Sequence, residues 1–236
     1  MNSIFKKISL VALAITLSIP FVGCEATRNA NNKQKGAVIG ATGGAILGAV
    51  LGNNLGKGGN SELGAVIGGV VGGGAGIIIG DRMDKQAQRI EEEIPGAEVE
   101  RVDDGIVITF DENSGVHFDT NKHNLKPEAI QILDKLSRIM NEYPDTDVLV
   151  VGHTDSTGPR AFNMTLSEQR AMSVTNYFVN TKNHSYSRFT TKWFGPDNPI
   201  ADNSTVEGRA KNRRVNVVII PNEKMKEDAK REAGEI

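Results

Sequence analysis

Between residues 97 and 220 the apolar positions switch repeatedly between two periods. "EVERVDDGIVITF" holds two strand-length runs split by Asp104-Gly105, a hairpin signal. From Lys126 to Tyr143, the residues Ala129, Ile132, Leu133, Leu136, Ile139 and Met140 recur at helical spacing. Pro127 suits the first turn of that helix, and Pro144 ends it. "DVLVVGHT" is a continuous apolar run of strand length, expected to be a central strand buried on both faces. Helical period returns over residues 163–181 through Leu166, Ala171, Val174 and Phe178. "FTTKWFG" and "RRVNVVII" complete the pattern as two further strands. Helices interleaved with strands predict an α+β or α/β sandwich.

Upstream the pattern is different in kind. Gly36, Gly40, Gly44, Gly48, Gly52 and Gly56 are four residues apart, and the register resumes at Gly64, Gly68, Gly72, Gly76 and Gly80. Each glycine costs a helix interior roughly 1 kcal/mol against alanine, so the series needs a compensating gain. Small residues at this spacing let helix backbones approach closely. The residues between them are largely Ala, Val, Ile and Leu, which excludes a disordered glycine linker. Lys35 and Lys57 bracket an uncharged run of about 31 Å as helix, and Glu62 and Asp81 bracket one of about 27 Å. The stretch 36–80 therefore reads as a helical hairpin with glycine seams, turning at "KGGNSE". A seam of step four drifts about 40° per glycine around a straight helix, so it can meet more than one neighbour and favours a homo-oligomer. Two placements stay open: across a bilayer core of roughly 30 Å, or as a packed, self-associated hairpin at its surface.

The ends add two signals. "MNSIFKKISLVALAITLSIPFVGC" has a basic start, a short apolar stretch and a small residue before Cys24, so residues 1–23 read as a secretory signal peptide. "FVGC" resembles a bacterial lipobox, although Phe21 stands where leucine is usual; the resemblance implies that Cys24 is acylated and begins the mature chain. As the single cysteine of the 236 residues, Cys24 has no internal disulfide partner. Residues 24–35 read as a polar tether, 81–96 as a charged linker helix ended by Pro95-Gly96, and 221–236 as a charged tail, frayed or disordered. The formal charge of −2 excludes a generally basic nucleic-acid-coating protein.

The chemistry points away from catalysis. His153, Asp155 and Ser156 in "VVGHTDSTG" are triad residue types, but neighbours this close cannot converge as nucleophile, base and orienter. His117, His123, His153 and His184 show no metal-binding spacing, so neither metal nor cofactor is expected. "GNNLGKGG" is one residue short of a phosphate loop and lacks the Ser or Thr after Lys57.

"VGHTDSTGPRAFNMTLSEQRAMSV", with "VHFDTNKHNLKPEA" before it and "GPDNPIADNSTVEGRAKNRRV" after it, resembles the peptidoglycan-binding domain of OmpA-like proteins and peptidoglycan-associated lipoproteins. The resemblance covers roughly residues 97–220. It implies an α/β sandwich with a mixed sheet and helices on one side. It also implies a site for the diaminopimelate of a peptidoglycan stem peptide, whose free end carries an ammonium and a carboxylate on one carbon. By motif position, Asp155 would accept from the ammonium and Arg170 would hold the carboxylate in a bidentate fork. Phe118, Asp119, Asn163 and Leu166 would line the pocket, with Asn212 and Arg213 at its border. Other roles stay open: Asp155 and Arg170 as a structural ion bridge, Phe118 as core, Arg213 or Arg214 as an exposed strand-edge charge. The chain as a whole resembles an outer-membrane lipoprotein facing the periplasm, which tethers that membrane to the wall without catalysis. The alternative is an oligomeric channel or secretion component built on the glycine hairpin.

Overall fold

A computed structural model describes residues 72–112, 116 and 118–236. Cys24, the tether and most of the glycine repeat lie outside the described residues. The elements run α1 (Gly73–Glu93), β1 (Glu98–Val102), β2 (Gly105–Phe110), α2 (Pro127–Glu142), β3 (Thr146–His153), α3 (Arg160–Asn176), β4 (Phe189–Gly195), α4 (Val206–Asn212), β5 (Val215–Pro221) and α5 (Glu223–Glu232). A π-helical turn, Tyr177–Thr181, extends α3, and a 3-10 turn, Tyr186–Arg188, leads into β4.

The five strands form one mixed sheet in the order β1-β2-β5-β3-β4. Only β3 and β4, joined through α3, pair in parallel; the other neighbours are antiparallel. Strand parity divides the side chains. Ile106, Ile108, Phe110, Val148, Val150, Val215, Val217 and Ile219 face the main core, while Leu149, Val151, Val218 and Ile220 form a smaller apolar strip on the opposite face. The helices that contribute apolar side chains, α1, α2, α3 and α5, all do so on the main-core face. Both faces of β3 are buried, as its unbroken apolar run predicts.

The first hairpin turns one residue earlier than the Asp104-Gly105 signal: Val102 pairs with Gly105, and Asp103 takes the positive φ of 49°. Helix α2 begins at Pro127 and ends where the Tyr143 N–H donates to the Ile139 carbonyl, just before Pro144. Helix α3 starts at Arg160, ahead of the expected residue 163. Gly152 explains how closely α3 approaches β3. A Cβ there would lie 2.1 Å from the Ser167 carbonyl oxygen, so only glycine fits.

Two segments differ from the sequence reading. The expected boundary between the glycine hairpin and a linker, at residues 80 and 81, falls inside α1. Ala75, Ile79, Met83, Ala87 and Ile90 form one buried stripe across it, so residues 81–93 pack in the core rather than link. At Gly72 and Gly80, no described atom lies within 4 Å of an added Cβ. Residues 221–236 are also ordered: α5 buries Met225 and Ala229 against the core. Its N-cap Asn222 accepts from the Met225 N–H at 3.0 Å. Past its end, Glu235 accepts from the Ala75 N–H at 3.2 Å, and Arg82 pairs with Glu232 at 2.7 Å, so the tail caps α1. No described helix is long and apolar enough to cross a membrane.

Candidate functional site

The site gathers where β3 ends, β5 begins and α3 passes overhead. The register of β3 on β4 shifts between Gly152 and His153, and after His153 the chain leaves the sheet. The Thr154 N–H donates to the Gly195 carbonyl at 2.9 Å, and its hydroxyl donates to the Asp155 carbonyl at 2.9 Å. Asp155 Oδ1 then accepts from the Thr157 N–H at 2.8 Å, closing a tight turn before Gly158, whose φ is +87°. From the first turns of α3, Asn163 Nδ2 donates to the Thr157 carbonyl at 2.9 Å and more weakly to that of Asp155 at 3.4 Å. Asn163 therefore fixes the loop that presents Asp155.

Arg170 lies seven residues further along α3 on the same buried face. Its Nε donates to the Lys122 carbonyl at 3.1 Å and Nη2 to the Asp119 carbonyl at 3.4 Å. The guanidinium stands 5.1 Å from the centre of the Phe118 ring. Among the described residues it makes no ion pair. Burial pushes its pKa down to about 10; the Glu112 carboxylate opposes this and Arg213 adds to it.

The ion bridge between Asp155 and Arg170 does not form. Asp155 pairs instead through Oδ2 with Arg213 Nη1. Burial alone would raise the Asp155 pKa, but Arg213 and the Thr157 N–H outweigh it and hold the carboxyl below its usual range. The other edge of Arg213 takes both oxygens of Glu112, Nε to Oε1 at 2.5 Å and Nη2 to Oε2 at 2.7 Å. Arg214 is buried, not an exposed strand-edge charge; its donors reach Asn216 Oδ1 at 3.1 Å, the Asn198 carbonyl at 3.1 Å and the Asn212 carbonyl at 3.4 Å. Burial pushes its pKa to about 10 as well.

A pocket opens here, lined by Glu112, Val116, Phe118, Arg170, Arg213 and Arg214. Phe118 serves both readings, half-buried against the core edge and facing Arg170. Asp119 turns its exposed carboxylate to Lys126 at 2.7 Å and Lys122 at 3.2 Å, and offers the pocket only its main-chain oxygen. Leu166 is buried in α3 without lining the pocket. Asn212 is wholly buried and engaged with the 200–203 loop: Oδ1 accepts from the N–H groups of Ile200 and Ala201, and Nδ2 donates to Ala201 and Asn203. Sequence reasoning missed Glu112 and left open whether Arg214 is an exposed charge. Strand register was the available signal for Glu112. Phe110 pairs with Val215 in antiparallel register, so residue 112 falls opposite Arg213.

His153, beneath the loop, stacks on Phe194 at 5.7 Å. Its Nδ1 is buried without a partner among the described residues, and burial together with Arg214 keeps the ring neutral, its pKa well below the usual value. Among the described residues no three His, Cys, Asp or Glu side chains gather to hold a metal ion.

Residues 117–213 match the OmpA family, and residues 4–84 match the YMGG-like Gly-zipper family. The probable lipoprotein YiaD of Escherichia coli (strain K12) is 37% identical over 227 residues, which are 92% of this chain and 99% of that protein. The chain belongs to the OmpA family. The peptidoglycan-binding protein ArfA of Mycobacterium tuberculosis (strain CDC 1551 / Oshkosh) is 38% identical over 104 residues, 44% of this chain and 32% of ArfA. Among solved structures, the cell wall anchor of the T6SS from Pseudomonas aeruginosa superposes with a TM-score of 0.51 at 25% identity, over 60% of this chain and 98% of that one. This OmpA-family chain thus joins a glycine-zipper segment to an α+β sandwich, the combination its sequence predicts.

Proposed function

We propose that this chain is a non-catalytic envelope lipoprotein that tethers the outer membrane to the cell wall. Its sandwich grips the free end of diaminopimelate in peptidoglycan stem peptides. The observation that carries the reading is Arg170, a buried guanidinium in a pocket with no ion pair among the described residues. A charge so placed is stabilised by an incoming carboxylate. Beside it, Asp155 and the Arg213 network supply the anionic side that an ammonium on the same carbon needs. Relatives named as a lipoprotein and as a peptidoglycan-binding protein support the assignment. So do relatives named as outer membrane proteins, which support an envelope location.

The test is co-sedimentation of the full chain with purified sacculi. Diaminopimelate-type sacculi should retain it. Sacculi with lysine at the same position of the stem, which lack the second carboxylate, should not. Asp155→Ala should lose retention while the domain stays folded. Equal retention by both wall types would overturn the diaminopimelate assignment. Anchoring has its own test: Cys24→Ser should leave the membrane fraction or stay unprocessed. A mature N-terminus that mass spectrometry finds unmodified would sink the lipid anchor.

A further inference from the structure

The charges around the pocket are not evenly matched. Glu112 and Asp155 both bond the single guanidinium of Arg213, so the trio carries a net −1. Arg170, in the same pocket, hydrogen-bonds main-chain oxygens and makes no ion pair among the described residues. Arg214 also lines the pocket, but its donors turn away to neutral oxygens. The pocket therefore has an anionic side and a cationic side, and the anionic side exists because of Glu112. With Glu112 removed, Asp155 and Arg213 form a pair of zero net charge, in which the repulsion from Arg213 weakens the attraction that Asp155 offers an ammonium.

We infer that Glu112 is a specificity-determining residue, the charge that turns the Asp155–Arg213 pair into an ammonium receptor and so selects a zwitterionic amino-acid end over a plain carboxylate. The inference rests on the wall-binding reading above. Three observations carry it. Continuation of the β2–β5 register sets Glu112 opposite Arg213, where it takes the Nε edge of the guanidinium and leaves Nη1 for Asp155. The Glu112 side chain is 37% exposed while that of Asp155 is 10% exposed, so Glu112 is the carboxylate with an open edge toward an arriving ligand. Glu112 also lines the pocket together with Arg170 and acts on that guanidinium more strongly than Asp155 does. A carboxylate has about four lone-pair sites, so Glu112 can hold Arg213 and still accept from an ammonium.

The test is titration calorimetry on the full chain in detergent with two probes of one carbon skeleton. They are meso-diaminopimelate and pimelate, which lacks both amino groups. Wild type should prefer diaminopimelate. Glu112→Gln should weaken diaminopimelate by about tenfold, the low end for a charge-assisted hydrogen bond at a partly exposed site, and leave pimelate unchanged or tighter. Glu112→Asp, which keeps the charge, should restore most of the preference and separates charge from any loss of fold. A Glu112→Gln protein with the wild-type ratio of affinities overturns the inference. If Asp155→Asn and Arg170→Met lose diaminopimelate in that case, the wall-binding reading survives. If wild type shows no preference, or Asp155→Asn and Arg170→Met bind like wild type, the reading beneath fails and the inference with it.

Discussion

Arg170→Met separates binding from folding. Methionine keeps an unbranched side chain of useful reach while removing the guanidinium. Two opposing contributions set its effect on stability. The hydrogen bonds to the Lys122 and Asp119 carbonyls and the contact with the Phe118 ring are lost. At about 1 kcal/mol each, with the 3.4 Å bond the weakest, they amount to roughly 2–3 kcal/mol. Against this, the buried guanidinium is itself unfavourable. Its pKa falls to about 10, so the charged form is less well accommodated in the folded chain than in the unfolded one. At neutral pH arginine is charged in both states, so the whole difference counts against folding, roughly 3 kcal/mol at 1.36 kcal/mol per unit. The two largely offset each other, and Arg170→Met should lie within about 2 kcal/mol of wild type, as replacement of buried ions by apolar residues often does. Wall binding should fall about ten- to a hundredfold through loss of a charge-assisted bond. Urea unfolding followed by circular dichroism, with sacculus co-sedimentation on the same preparations, measures both. A stability loss well beyond 3 kcal/mol would make the guanidinium chiefly a support for the 118–122 loop. Wild-type sedimentation by the folded variant would refute the carboxylate receptor.

Three further predictions test the scaffold. Gly152→Ala, which sets a Cβ 2.1 Å from the Ser167 carbonyl, should lower stability by about 3 kcal/mol or more by forcing α3 off the sheet; an unchanged melting temperature would refute that close approach. Met225→Ala should cost about 2–3 kcal/mol in urea unfolding, whereas a solvated tail would give no change. The depressed pKa of His153 means that, as pH falls below about 6.5, the unfolded chain takes up a proton that the folded chain refuses, and stability falls with it. His153→Asn should reduce that slope, by at most about 1.4 kcal/mol per pH unit, and leave the share due to His184, which burial also depresses. Asp155, whose lowered carboxyl pKa favours the folded chain, loses that contribution only at lower pH, as the carboxyl protonates. An unaltered slope between pH 6.5 and 5 in His153→Asn would refute the assignment.

Period and punctuation carry most of the sandwich in the sequence. The 3.6-residue spacing from Ala129 to Met140, closed by Pro127 and Pro144, marks α2, and the unbroken run through Val148 to Val151 marks a strand covered on both faces. What misleads is composition where it describes only one side of a helix. Asp81, Arg82, Asp84 and Lys85 make residues 81–93 look like a solvated linker, while Ile79, Met83, Ala87 and Ile90 continue an inward stripe that begins before the last glycine. The same holds for α5, where Met225 and Ala229 at i and i+4 are outnumbered by charges and still suffice to dock. At the site, motif position finds Arg170 and Asp155 but not their partners. Asp155 and Arg213 are 58 residues apart and Glu112 and Arg213 are 101, and only the pairing of β2 with β5 brings the last two together. Local pattern cannot show an ion network that depends on strand order, because the sheet places β5 between β2 and β3, which lie side by side in no one-dimensional sense. A search for the anionic half of such a pocket therefore has to begin from register, by extending each ladder two residues past its end and asking which charges then face each other.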